Sequence, residues 1–163
     1  MSGEPPRPSP SPDGAMKGDL PRAVLDEIYR HALEGYPEEV CGFIVGGDEV
    51  RRCENRQNEL HAADPEHFPR DARTAYNLGA KDLFFLDKSL RGPRPVTHVY
   101  HSHVHVGSYF SDEDVRAAAP GGEPLYPTVS WLVVDAAAKD RVGGCKIFRF
   151  EGGKFVEVAS HGP

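Results

Sequence analysis

Leu25, Ile28, Tyr29 and Ala32 recur at i, i+3, i+4 and i+7, which predicts an amphipathic helix from about Leu20 to Glu34. Asp19 stands where a cap is needed, Pro21 suits the first turn and Gly35 ends the run. The pattern then changes period. Val40 to Gly46 is an almost unbroken apolar run and reads as a buried central strand, with a Gly46-Gly47-Asp48 turn leading to a second strand over Glu49 to Glu54. The polar stretch from Asn55 to Arg73 reads as a long loop, and loops of that length are often functional, so it is expected to contact substrate. A short strand over Thr74 to Leu78 precedes a helix from Ala80 to Leu90, whose apolar face is Leu83, Leu86 and Leu90. Phe84 and Phe85 soften that register, and Pro93 and Pro95 stop the helix. Val96 to His103 is a further strand, and a helix beginning at Ser111 ends at Pro120-Gly-Gly122. Thr128 to Asp135, Gly144 to Phe150 and Lys154 to Val158 complete the strands, with hairpin turns over 139–144 and 151–153. No internal repeat interrupts this order, which predicts an α/β sandwich around a curved mixed sheet flanked by helices.

Composition narrows the picture. The 163 residues suit one domain with a proper core. Residues Met1 to Gly18 hold five prolines among Ser, Gly and charged residues and read as a disordered tail, a plain tether rather than a partner-binding segment, which leaves a domain over 19–159. A formal charge of −6, without a basic stripe, argues against nucleic-acid binding and against attachment to an anionic membrane. No apolar stretch approaches the roughly 18 residues of a membrane span, and the N-terminus lacks the layout of a signal peptide, so a cytoplasmic protein is expected. Cys41, Cys53 and Cys145 are too few and too irregular for a disulfide framework or a cysteine zinc site; Cys41 is expected to pack within its strand.

The chemistry concentrates in His101-Ser-His-Val-His-Val-Gly-Ser-Tyr-Phe-Ser-Asp-Glu-Asp114. Residues two apart on a strand share a face, so His101 and His103 can converge on one ion while Ser102 points away. Asp114 lies where a polar loop enters a helical pattern and can fold back over the strand end. Two imidazoles and a carboxylate leave a fourth tetrahedral position for water, which distinguishes a catalytic zinc site from a closed structural one. Each residue also has an ordinary reading: Ser111 is a good N-cap, and acids favour the first helical turn where Asp114 stands. The three ligand types in this order and spacing are harder to dismiss. Ser111 can both cap and donate toward a developing oxyanion. With Asp114 committed to the metal, a general base must come from elsewhere, and Glu38 and Glu39, at the mouth of the first strand, are both candidates. His105 continues the alternation but is assigned an exposed or supporting role, and His98 packs on the strand's other face.

Together the two segments resemble the JAMM (MPN-plus) metalloprotease family, whose pattern is a Glu near the end of the first helix, then His-x-His, seven residues and Ser-x-x-Asp. The likeness spans about Leu20 to Val158, with only the motifs specific. Family members carry Pro-x-Glu running into a Gly-containing strand, and Pro37-Glu38-Glu39-Val40-Cys41-Gly42 places Glu39 in the catalytic position. One departure is Val104, followed by His105, where many relatives have Pro after the second His. The resemblance implies an MPN fold, similar in outline to zinc deaminases, although His-x-Glu with Pro-Cys-x-x-Cys is missing and base deamination is disfavoured. It also implies Zn2+ held by His101, His103 and Asp114, Glu39 as base and acid, Ser111 steadying the tetrahedral intermediate, and direct water attack without an acyl-enzyme. Glu-x-Cys-Gly resembles bacterial members that act on small sulfur-carrier proteins, so the expected partner is a small ubiquitin-like or sulfur-carrier protein with a Gly-Gly tail. A general deubiquitinase-like isopeptidase and a non-catalytic MPN scaffold are the alternatives; the oligomeric state stays open.

Overall fold

The computed structural model describes residues 20–163, so the expected tail over Met1 to Gly18 and the cap at Asp19 lie outside the described residues. Helix α1 (Arg22–Gly35) buries Val24, Leu25, Ile28, Tyr29 and Ala32, the stripe its periodicity predicts. Strands β1 (Cys41–Val45) and β2 (Glu49–Cys53) form the expected hairpin. Its turn demands glycine, because Gly46 and Gly47 sit at φ 61° and 80°, a region L-residues with side chains resist.

The stretch expected to be loop contains a short helix, α2 (Gln57–Ala63), and the strand expected over Thr74 to Leu78 is only a single bridge between Asn55 and Leu78. Both corrections have one cause: this segment makes side-chain hydrogen bonds to its own backbone instead of a sheet ladder. Asn55 Oδ1 accepts from the amides of Gln57 and Asn77, and its Nδ2 donates to the Ala75 carbonyl. Helix α3 (Ala80–Ser89) follows, then β3 (Val96–Val104) and α4 (Asp112–Ala118). The last helix stops before the expected Pro120-Gly-Gly122, which forms a separate 3-10 turn. Strands β4 (Ser130–Ala136), β5 (Cys145–Glu151) and β6 (Lys154–His161) complete the chain, β6 running past the expected end at Val158.

The six strands form one mixed sheet in the order β2-β1-β3-β4-β5-β6. Only β3 and β4 are parallel; the other neighbours are antiparallel. This order buries β3 between two partners, and all but its last residue are inaccessible. Side-chain alternation divides the core in two. On one face α1 packs over Ile44, Tyr100, Leu132, Val134 and Ile147. On the other, α3 and α4 contribute Leu86 and Ala118 to a cluster with Cys41, Phe43, Val99, Trp131 and Val133. Gly42 lies opposite Tyr100, and a methyl group there would come within 2.4 Å of the ring, so the strand needs glycine for the ring to cross it. No helix among the described residues is long and apolar enough to cross a membrane.

Candidate metal centre

The alternation of β3 that sends Tyr100 and Ser102 toward α1 sends His101 and His103 to the opposite face, where both are buried. Their Nε2 atoms are 3.1 Å apart. Asp114 reaches both from the start of α4, with Oδ1 3.2 Å from His101 Nε2 and Oδ2 3.2 Å from His103 Nε2. These separations are close to the roughly 3.3 Å edge of a tetrahedron of zinc ligands. Glu39 joins from the segment before β1, and its carboxylate and the two imidazoles offer ligand atoms all within 4.8 Å of one another. The donor set of two imidazoles and two carboxylates, buried and aimed at one point, fits a divalent cation that accepts nitrogen and oxygen ligands.

Glu39 is positioned by main-chain bonds. Its amide donates to the Ala72 carbonyl at 2.7 Å, and its carbonyl accepts from Asn55 Nδ2 at 2.9 Å. The next residue is clamped to the metal strand: Val40 N donates to Ser102 Oγ and Ser102 N donates to Val40 O. Thus Ser102, between the two histidines and on the opposite face of the strand, holds the Glu39 segment in register. Glu38 is exposed and bonds Asn58, whereas Glu39, the one the resemblance favoured, is buried beside the histidines. Three residues separate Glu39 from the end of α1, and the segment between β2 and α3 supplies its hydrogen-bond anchors.

Ser111 has both expected features of a cap. Its hydroxyl accepts from Asp114 N at 3.1 Å, while its own amide donates to Asp114 Oδ2 at 3.0 Å. The capping box therefore fixes the carboxylate that faces the histidines, and the serine hydroxyl keeps its proton for donation.

Burial determines the protonation of these groups. It depresses the His101 pKa and keeps the imidazole neutral, the form that ligates metal. Burial alone would raise Asp114, but His101, His103 and the Ser111 amide hold it well below the usual carboxylate range. Glu39 moves the other way, to about 9, through burial first and then the charges of Asp114 and Glu113, with Arg70 opposing. The two carboxyl groups thus differ in character, one a stable anion and the other a neutral acid at pH 7 in the absence of a nearby cation.

Glu39, His103, Ser111 and Asp114 line a cleft of about 460 Å³, and His101 lies buried beneath its surface. Tyr76 was not singled out by the sequence, yet its ring stacks on His101 at 4.4 Å between centroids and 23° between planes. Tyr109 meets His103 edge-on at 5.1 Å. His103 Nδ1 lies 3.2 Å from the Gly107 carbonyl, a bond that fixes its ring, whereas His101 Nδ1 is buried with no hydrogen-bond partner among the described residues. Only an aromatic residue near the end of a polar loop hinted at Tyr76, and no periodicity marks such a position. His105 is exposed, has φ 66° and contacts the Tyr36 hydroxyl through Nε2, so the strand geometry ends before it reaches the ion. His98 is buried on the α1 face and bonds Thr97 Oγ1 at 2.8 Å, in keeping with a packing role. Cys41 is buried opposite His101 in the sheet.

None of the curated proteins matches this chain. Among solved structures, the solution structure of protein DSY2949 from Desulfitobacterium hafniense is similar, with a TM-score of 0.56 and 19% identity over 85% of this chain and 87% of that one. At that identity the likeness concerns the fold alone. The family described as prokaryotic homologs of the JAB domain matches residues 21–149, from the start of α1 into β5, and so takes in every residue of the cluster. A match over that much of the chain, carried by a mixed six-stranded sheet with helices on both faces, means that the protein belongs to the family of prokaryotic homologs of the JAB domain.

Proposed function

We propose that the protein is a zinc-dependent metallopeptidase that hydrolyses a peptide or isopeptide bond at the C-terminal Gly-Gly tail of a small ubiquitin-like or sulfur-carrier protein. The observation that carries this reading is the convergence of Glu39, His103, Ser111 and Asp114 on one cleft, with His101 buried directly against His103 and Asp114. His101, His103 and Asp114 would hold the ion, which when bound supplies Lewis-acid polarisation of a carbonyl and lowers the pKa of water to about 7. Glu39 would take a proton from the attacking water and return it to the leaving amine, a task that needs its pKa brought down from about 9 toward neutrality by the charge of a bound cation. Ser111 donates its hydroxyl proton toward the carbonyl oxygen as negative charge builds there.

A narrow passage supports the choice of a Gly-Gly tail. Tyr76 against His101 and Tyr109 against His103 wall the approach to the cluster with rings. Along β3 the Ser102 amide faces β1, so by alternation the Val104 amide faces the same side, beyond the point where Glu39 turns away to Ala72. An extended tail can add there through main-chain bonds, and residues without side chains fit between the rings.

The protein loaded with one equivalent of zinc should release the residue or peptide that follows Gly-Gly, and replacing either glycine of the tail with Leu should cut turnover steeply. Glu39→Gln should retain zinc and lose nearly all hydrolysis. Similar cleavage of Leu-substituted tails or of unrelated unfolded proteins would favour a general peptidase. Stoichiometric zinc without hydrolysis of any tail would favour a scaffold.

A further inference from the structure

The side of the cleft that receives the leaving group carries a feature that the five motif residues do not explain. The group that returns a proton to the leaving amine must lie beside that amine, so the released residue sits on the Glu39 side of the cluster. Three cationic or potentially cationic residues line that region: His67, Arg70 and Arg73. Two are tied down within their own loop, Arg73 by paired bonds to Asp71 and His67 by Asp64. Arg70 differs from both. Its main-chain carbonyl accepts from the buried Gln57 Nε2 at 2.8 Å, which fixes its place on the wall. Its side chain spans the cleft to Glu113 on the first turn of α4, at 3.1 Å and beside Asp114. Its charge also reaches Glu39, whose pKa it lowers. It is about half exposed, and an exposed ion pair of this kind is worth no more than about 1 kcal/mol, so an incoming anion can exchange with Glu113. A second hollow opens beyond it and shares Arg70, Arg73, Thr74 and Val104 with the cleft, leaving space for a side chain on the leaving residue.

We infer that Arg70 is a specificity residue that binds the free α-carboxylate of the residue following the scissile bond. This rests on the hydrolase reading above and deepens it. The α-carboxylate is one carbon from the amine that Glu39 protonates, so a cation near Glu39 is where that carboxylate falls. Guanidinium matches it with two parallel N–H donors, which an ammonium cannot reproduce. Glu113 holds the arginine extended until the substrate arrives.

The test uses a small ubiquitin-like protein ending in Gly-Gly-Ala, prepared with a free C-terminal carboxylate and with a carboxamide. With zinc-loaded wild type, kcat/KM for the carboxylate form should exceed that for the amide by roughly 10- to 100-fold, mostly through KM. Arg70→Ala should reduce the ratio of carboxylate to amide cleavage to about one, whatever it does to the rate common to both forms, and Arg70→Lys should recover only part of the ratio. Equal cleavage of the two forms by wild type would overturn the inference while leaving the hydrolase reading intact. Calorimetric binding of the same two proteins to zinc-loaded Glu39→Gln, with and without Arg70→Ala, tests the subsite without turnover. Tighter binding of the carboxylate form that vanishes with Arg70→Ala supports it, and equal binding overturns it. If the carboxylate form binds selectively but wild type cuts neither, the hydrolase reading fails and the carboxylate site stands.

Discussion

The two candidate histidine ligands are oriented by different means. His103 has a carbonyl acceptor for its outer nitrogen, the common arrangement for a metal-bound imidazole. His101 has none among the described residues, so stacking on Tyr76 is the contact that sets its plane. Tyr76→Phe keeps the ring and should bind zinc as wild type does. Tyr76→Leu should weaken zinc roughly 10-fold, toward the lower end of losses seen when a supporting partner is removed, as read by competition with a chromogenic chelator. Equal affinity in the leucine variant would mean that sheet packing alone orients His101. At the same scale, Glu39 and Asp114 show how environment separates like groups: burial and two nearby carboxylates raise one, and two imidazoles with a capping amide make the other a fixed anion.

Among the elements, β1 and β3 form the frame on which the cluster depends, and their close contact at Gly42 and Tyr100 is the most sensitive point. The Tyr100 ring is fully buried, its hydroxyl lies 2.7 Å from His31 Nδ1 on α1, and it crosses directly over Gly42. Gly42→Ala should therefore displace the ring and cost about 1–3 kcal/mol, the range for overpacking a core that cannot yield. Thermal or urea unfolding of the variant measures it, and a loss under about 0.5 kcal/mol would show that the ring moves freely. The segment between β2 and α3 has a different logic. It contributes little to the sheet, yet Asn55 and Ala72 hold the Glu39 main chain and Tyr76 covers His101. Polar residues there serve as anchors for the base.

For the whole molecule, folding buries imidazoles on the face opposite the cluster. Burial lowers both His31 and His98 to about 4. A histidine whose folded pKa lies below its unfolded value near 6.5 gives stability that is present above 6.5 and is lost as pH falls through the folded pKa. Stability should accordingly decline between pH 6.5 and about 4, with the fully buried His98 contributing on the order of 1.4 kcal/mol per pH unit in that window. Urea unfolding across the series checks the slope. NMR of the His98 ring should show no titration above about pH 4.5, and a midpoint near 6.5 would refute the assignment.

The sequence by itself determined the elements whose periodicity is strong and the residues whose spacing is local. The stripe of α1, the apolar run of β1 and the turn glycines follow from side-chain period and backbone freedom, and they hold in the structure. The pairing of His101 with His103 and the cap joining Ser111 to Asp114 are likewise short-range, two and three residues apart, so local geometry suffices to read them. What only the tertiary structure decided is long-range. Glu38 and Glu39 are adjacent and alike, and in the sequence only the family resemblance chose Glu39; its burial beside the two histidines comes from Ala72, Asn55 and Ser102, which fix the backbone there from three distant places. Tyr76 and Arg70 belong to a stretch with no period, where hydrogen bonds between side chains and backbone replace a ladder. The sheet order that buries β3 between β1 and β4 comes from pairing across the whole chain, and that burial keeps His101 neutral, while contact with His101, His103 and the Ser111 amide holds Asp114 as an anion.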